Sequence, residues 1–273
     1  MTTLEGVRLK PSAWTALHQR GPWLTRFAVA HMVILAALLV LMACDDRQIS
    51  GVNIWLKPAK FALSISIYVA TMAWLLGEVK QPRWLIGAIT LIILASMSLE
   101  QILITLQAAR GTTSHYNIAT PFDSAVFSLM GFGVATNSFA ALLALLLFCT
   151  RTITDRPAYT WGIRLGLAIF LLGSAQGFIM IANQGHTVGL ADGGPGIPIL
   201  AWSNQAGDLR IAHFIGIHAI QVLPLAGYLL DRGSLRIWTR VTLIWIISLA
   251  YLALGLGALH DALRGQSWFA AWS

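Results

Sequence analysis

Seven long apolar segments dominate the pattern of hydrophobic and polar positions along this chain. They cover residues 27–44, 60–78, 84–108, 122–149, 161–183, 210–230 and 238–260. A helix that crosses a bilayer needs about 20 mostly apolar residues, because each residue advances it by about 1.5 Å. The pattern therefore predicts an all-α membrane protein, a bundle of about seven transmembrane helices in one polytopic domain, 1–273. A count of six or eight helices stays an alternative, because the segment 122–149 is long enough to be tilted or broken.

The composition agrees with this fold class. Hydrophobic residues make up 57% of the chain and charged residues only 11%, whereas about a quarter of the residues in a soluble protein are charged. The net charge of +7 would suit a nucleic acid, but the basic residues stand singly between apolar segments. We therefore expect the lipid bilayer and no nucleic acid as a partner. Cys44 and Cys149 fall at predicted helix ends on opposite membrane faces, so we expect no disulfide between them.

The distribution of lysine and arginine predicts the orientation. Of the 18 such residues, twelve fall on one predicted side of the membrane and six on the other, and short cytoplasmic loops are the ones rich in these residues. We therefore expect a cytoplasmic (inner) membrane protein with a cytoplasmic N-terminal segment, 1–26, and the C-terminus outside. Residues 1–26 have no apolar core with a cleavage site, so we expect no cleaved signal peptide, and the first apolar segment serves as the insertion signal.

The predicted outer loops are the long ones. Residues 184–209 contain the run GHTVGLADGGPGIPILAW, whose glycines and prolines predict tight turns. Long loops without secondary structure are usually functional or disordered, and the apolar residues Ile197, Ile199, Leu200 and Trp202 favour packing. We interpret this segment as a possible lid.

Polar side chains concentrate towards the same predicted side. Glu100 lies about 15 Å inside the outer end of the third apolar segment, where an ionisable group costs on the order of 2.5–3.5 kcal/mol and is a candidate functional residue. Gln107 lies two turns further out on the same face. The sequence thus predicts one polar cavity that opens outward. Its candidate cofactor or ligand contacts are Lys60, Gln107, Gln176, Asn183, Arg210 and Gln221.

The first chemical hypothesis is a metal-dependent membrane enzyme, a hydrolase or oxidoreductase acting on a lipid or small exported substrate. Imidazole and carboxylate bind zinc, copper or iron, and a catalytic zinc uses three such ligands and an open position. The candidate metal ligands are His115, His186, His213 and His218, and the candidate catalytic acids are Glu100, Asp208 and Asp123. The spacing supports this weakly, because His213 and His218 are five residues apart and no HExxH motif occurs.

Two other hypotheses stay open. Histidines on facing helices ligate haem b, although no CxxCH sequence for covalent attachment is present. Alternatively, the chain is a proton-coupled transporter or small-ligand receptor in which Glu100, Lys60 and the histidines bind a small molecule or relay protons, as buried membrane acids often do. No motif resembles that of a characterised family. A scaffold or a subunit of a larger complex also stays possible.

Overall fold

The computed structural model describes residues 12–79, 82–151 and 155–269, and its elements are almost all helical. Across these residues it contains the helices α1 (Ala13–Arg20), α2 (Pro22–Cys44), α3 (Leu56–Leu76), α4 (Arg83–Ala109), α5 (Pro121–Thr150), α6 (Pro157–Ala175), α7 (Gly177–Ala182), α8 (Leu209–Arg232) and α9 (Ile237–Leu263). Two short antiparallel strand pairs accompany them, β1 (Gln48–Ile49) with β2 (Val52–Asn53) and β3 (Thr187–Val188) with β4 (Gly207–Asp208).

Seven helical stretches of the described chain are long and apolar enough to cross a bilayer. They are α2, α3, α4, α5, α6 continued by α7, α8 and α9. This confirms the prediction of a multi-pass helical membrane protein. The predicted amino-terminal segment 1–26 overlaps two helices, because α1 forms before Gly21 and α2 begins at Pro22. Residues 1–11 lie outside the described part of the chain.

Helix α3 begins earlier than the sequence pattern predicts, at Leu56 instead of residue 60. Pro58 does not prevent this, because the first turn of a helix has no intrahelical partner for the N–H that proline lacks. Lys57 and Lys60 therefore both lie within the first turns of α3. The two charges that mark the helix boundary in the sequence are part of the helix itself.

The apolar core lies between α2, α3, α4, α5 and α6, with fully buried Met72, Ile93, Phe148 and Leu167. Many large apolar side chains on the outer surface are exposed, among them Leu91, Phe132 and Trp238. An apolar surface around a helical bundle fits lipid, since backbone polar groups are already satisfied within the helices. Tyr68 of α3 stacks on Phe170 of α6 within this core, with ring centroids 5.7 Å apart.

Helices α6 and α8 cross at a seam of small residues. A Cβ added to Gly216 would lie 2.5 Å from the Gly173 Cα, and one added to Gly227 would lie 2.3 Å from the Ala158 carbonyl oxygen. Such short approaches let the two backbones pack directly against each other, as small residues do in membrane bundles. Gln176, where α6 passes into α7, donates to the Leu209 carbonyl oxygen at 2.8 Å and joins that junction to the start of α8.

The segment 184–209 lies at one end of the bundle, which we call the loop end. There the described loops fold onto the helices, and Asp208 of β4 caps α8 by accepting from the Arg210 backbone N–H at 3.0 Å. At the opposite end, Arg20 forms a salt bridge of 2.5 Å with Glu78.

Candidate functional site

Glu100 lies in α4 between apolar neighbours and is 2% exposed. Among the described residues, neither of its carboxyl oxygens has a hydrogen-bond partner. Gly133 of α5 leaves the room for it, because a Cβ there would lie 3.0 Å from Glu100 Oε1. A buried polar group without a partner is rare and calls for an explanation. Here the Glu100 carboxyl group is not committed to any hydrogen bond or ion pair among the described residues.

The start of α3 is recessed beside Glu100. Gln101, the next residue on α4, approaches the Pro58 carbonyl oxygen at 3.4 Å. Helix α4 continues for eight more residues to Ala109, about 12 Å at 1.5 Å per residue. The start of α3 therefore lies below the end of α4, and we call the region above it, which Lys57 and the following loops occupy, the depression.

Lys57 contacts a histidine inside this depression. Its Nζ lies 3.2 Å from His115 Nδ1, and the Ser114 hydroxyl lies 3.0 Å from the same nitrogen. An ammonium group only donates, so His115 Nδ1 accepts and the ring proton belongs on Nε2. Burial lowers the pKa of His115 well below its usual range, and the charge of Lys57 lowers it further. His115 is therefore a neutral imidazole.

Lys57 also interacts electrostatically with Glu100, without forming a salt bridge. Aromatic rings line the space around His115. Its ring centroid lies 6.2 Å from Phe61 and 6.1 Å from Phe127, and Tyr116 lies 5.4 Å from Phe127. The imidazole that Lys57 contacts therefore lies among aromatic side chains.

A second histidine connects the loop 184–209 to this wall. The ring of His186 lies 5.2 Å from that of Tyr116, and its Nδ1 is 2.8 Å from Asp192 Oδ2. The Asp192 carboxylate also accepts from the backbone N–H groups of His186 and Thr187. Burial lowers the pKa of His186, while the pKa of Asp192 is held below its usual range mainly by its hydrogen bonds, against the effect of its partial burial.

These two pKa shifts predict that acid loosens the loop. Below about pH 6.5, the ordinary pKa of histidine, the unfolded segment binds a proton that folded His186 resists, so stability falls as the pH is lowered. The depressed pKa of Asp192 acts in the same direction at more acidic pH. Hydrogen exchange of residues 185–208, corrected for the intrinsic rate, should rise between pH 7 and pH 5. His186→Asn should flatten this rise, and an unchanged slope in that variant would contradict the assignment.

Lys60 is covered by the tip of the same loop. Its Nζ lies 3.3 Å from the carbonyl oxygens of Ile199 and Leu200. Arg210 donates to the Ala201 carbonyl oxygen at 2.5 Å and forms a salt bridge of 2.5 Å with buried Asp208. The loop therefore folds over the depression as a cover.

The remaining predicted site residues serve other contacts. The Asp123 carboxylate accepts from Gln107 at 2.9 Å, from Arg110 at 2.6 Å and from the Thr120 hydroxyl at 2.6 Å. These hydrogen bonds connect the start of α5 to the end of α4. The side-chain amide of Asn183 donates hydrogen bonds to the carbonyl oxygens of Gly185 and Thr187. Gln221 donates to Thr71 Oγ1 at 3.2 Å, well down α8 from the loop end. These contacts hold elements together.

The histidines have separate partners. His213 Nδ1 lies 2.7 Å from the Gly173 carbonyl oxygen, and the ring of His218 packs 4.1 Å from that of Phe214. Across residues 12–79, 82–151 and 155–269, no group of three or more His, Cys, Asp or Glu side chains is arranged to hold a metal ion. The predicted histidine cluster and metal centre therefore have no support here.

The structure brings Lys60, His115, His186, Asp208 and Arg210 to the loop end, whereas Glu100 lies deeper in α4 and is linked to this group only by its electrostatic interaction with Lys57. It adds Lys57, Ser114 and Tyr116, which the sequence pattern did not single out. Lys57 had one usable signal, its position three residues before Lys60 at the start of an apolar segment. Ser114 and Tyr116 had none, since their roles depend on how residues 110–120 fold back.

No protein-family model, curated protein or solved structure matches this chain. The fold itself defines the class, a multi-pass helical membrane protein.

Proposed function

We propose that this chain is a proton-coupled transporter of the inner membrane, and that Glu100 carries the proton. The observation that carries this proposal is the burial of Glu100 without any hydrogen-bond partner among the described residues. A carboxyl group in such a site is neutral unless a nearby charge or solvent stabilises its ionised form. Glu100 thus changes its protonation state when access to it changes, which is what proton coupling requires.

The surroundings of Glu100 support a route for solute and proton. On one side, the depression at the loop end holds Lys57 and His115. On the other, Tyr68 donates to Asn137 at 3.1 Å, and Asn137 follows Gly133 by one helical turn on α5. Towards the opposite end of the bundle, the Tyr159 hydroxyl lies 3.0 Å from Trp74 Nε1 and 3.3 Å from Glu78. Polar groups therefore recur along α3 through the apolar core.

Orientation belongs to the same proposal. The excess of lysine and arginine in the loops of the other side supports a loop end that faces away from the cytoplasm. In this orientation the cover formed by residues 184–209 closes the site from outside. The salt bridge between Arg20 and Glu78 lies at the cytoplasmic end.

The metal-enzyme hypothesis fits the contacts less well. Among the described residues, no three His, Cys, Asp or Glu side chains are arranged to hold one ion, although the Nδ1 contacts of His186 and His213 leave their Nε2 atoms unengaged. For three of them to share one ion, the loops would have to be rearranged. Proton exchange at Glu100 needs no such rearrangement.

Glu100→Gln should abolish the proposed proton step. A fast pH change applied to purified protein in a supported membrane should give a transient current in the wild type, because a proton enters the membrane to reach Glu100. The variant should lose this current. Asp45→Asn is the matched control, since Asp45 is held in a salt bridge with Arg47 at the end of α2, outside this route, and its loss should leave the current intact. A current of unchanged size in Glu100→Gln would contradict the proposal.

A further inference from the structure

Two lysines of α3 present ammonium groups to the depression beside Glu100. Lys57 and Lys60 are one helical turn apart, and neither forms a salt bridge within the described part of the chain. Lys57 donates to neutral His115, which leaves other N–H donors of its ammonium group for a ligand. Lys60 has only two long contacts of 3.3 Å to carbonyl oxygens of the loop.

The acids nearby do not neutralise these charges. Asp208 is committed to Arg210, and Asp192 to His186 and two backbone N–H groups. Glu100 is buried and interacts with Lys57 only from a distance. Buried and half-buried charges are usually paired, because removing an unpaired charge from water is costly. The two ammonium groups therefore favour an anion as their missing partner.

The wall beside Lys57 indicates what kind of anion. Phe61, Tyr116 and Phe127 surround the His115 ring. A phosphate or sulfate would need donors on all sides, whereas an apolar wall suits a ligand with one charged group and a hydrocarbon body. The arginine near Lys60, Arg210, has a fork suited to phosphate, but Asp208 and the Ala201 carbonyl already occupy it.

We propose that Lys57 and Lys60 bind the carboxylate of a small organic acid whose apolar body packs against Phe61 and Phe127. The inference deepens the proposed function, because it rests on that function to make the bound acid the transported solute. The carboxylate replaces the loop carbonyls as the partner of Lys60.

The tip of the cover has features that fit such an exchange. Ile199 has φ 68° and Ala201 has φ 55°, and a β-branched residue in this region is strained. Ile199 is also 72% exposed although apolar. Arg210 holds the tip at Ala201, whereas Lys60 holds it only through two contacts of 3.3 Å, so the strained turn at Ile199 is the part released when Lys60 takes another partner. Binding therefore loosens residues 197–202.

Benzoate is the probe for this site, because it has one carboxylate on an apolar ring. Titration calorimetry on the purified full-length protein in lipid nanodiscs should detect benzoate binding, and the isosteric neutral benzamide should not bind. Lys57→Met should weaken benzoate at least tenfold. Arg47→Gln is the matched control, since it removes a cation at the same end that is paired with Asp45, and it should bind benzoate like the wild type. Hydrogen exchange at 197–202 should increase with benzoate.

Several results would overturn the inference. These are absent benzoate binding, equal binding of benzamide, inorganic phosphate binding as tightly as benzoate, or full affinity in Lys57→Met. If Lys57→Met does not fold, as judged by size-exclusion profile, Lys60→Met must show the tenfold loss, and its full affinity would equally reject the site. Glu100→Gln separates the two proposals. If the wild type shows the current and Glu100→Gln lacks it, but the wild type does not bind benzoate, only the anion site is rejected. If the wild type binds benzoate and Glu100→Gln keeps the full current, only proton coupling is rejected.

Discussion

Gly216→Val should lower the free energy of unfolding by about 2–3 kcal/mol, the usual size of an overpacking penalty. The first added carbon already meets the backbone of α6, at 2.5 Å from the Gly173 Cα. Backbone atoms cannot move aside as a flexible side chain does, so α6 and α8 must separate. The measurement is reversible unfolding in mixed detergent micelles, followed by circular dichroism.

Gly131→Val is the matched control for this prediction. Gly131 lies within α5, and a Cβ there would meet nothing within 4 Å. Both variants place valine in a helix, so the difference between them reports the crossing of α6 and α8 alone. Equal stability of the two variants would show that the backbones of α6 and α8 are not in the close contact described above.

Asp208→Ala should be the most destabilising single change, at about 3–5 kcal/mol. Removing one partner of a buried ion pair leaves the other charge uncompensated, and here Arg210 would lose its carboxylate. The change also removes the cap of α8 and the acceptor of the Ser203 backbone N–H at 2.7 Å. The free energy of unfolding measures the overall loss of stability, and the rate of protease cleavage within 184–209 measures the loosening of the loop.

Arg47→Gln serves as the comparison for this ion pair. Its pair with Asp45 is far more exposed, and exposed pairs contribute about 0–1 kcal/mol. Its unfolding should therefore be close to that of the wild type. If Asp208→Ala were no more destabilising than Arg47→Gln, the buried pair would not hold the cover in place.

The number and approximate positions of the long helices could be predicted from the sequence, because each membrane crossing needs about 20 apolar residues and few divisions of this chain into such segments are possible. It also predicted that Glu100 lies well inside the third apolar segment, and the residue lies within α4, nine residues before that helix ends. The sequence pattern could not show where the loops fold. Residues 110–120 carry His115 back down to Lys57, and this contact depends on turns that hydrophobic periodicity does not encode.

The histidines show the same limit. The sequence pattern selected His115, His186, His213 and His218 as one group of ligands, but it could not show that His213 contacts α6 and that His186 contacts Asp192. Asp123 was a candidate catalytic acid because of its side of the membrane. Its contact with Thr120 is a local helix cap, a pattern that the spacing of Thr120 and Asp123 would have revealed.

The glycine seam has a consequence for motion. With α6 and α8 in backbone contact and Gln176 bonded to Leu209, these two helices resist sliding past each other. Under the proposed function, the rocking that exposes Glu100 to alternate sides therefore occurs at other helix contacts, of which the stacked rings of Tyr68 in α3 and Phe170 in α6 are one.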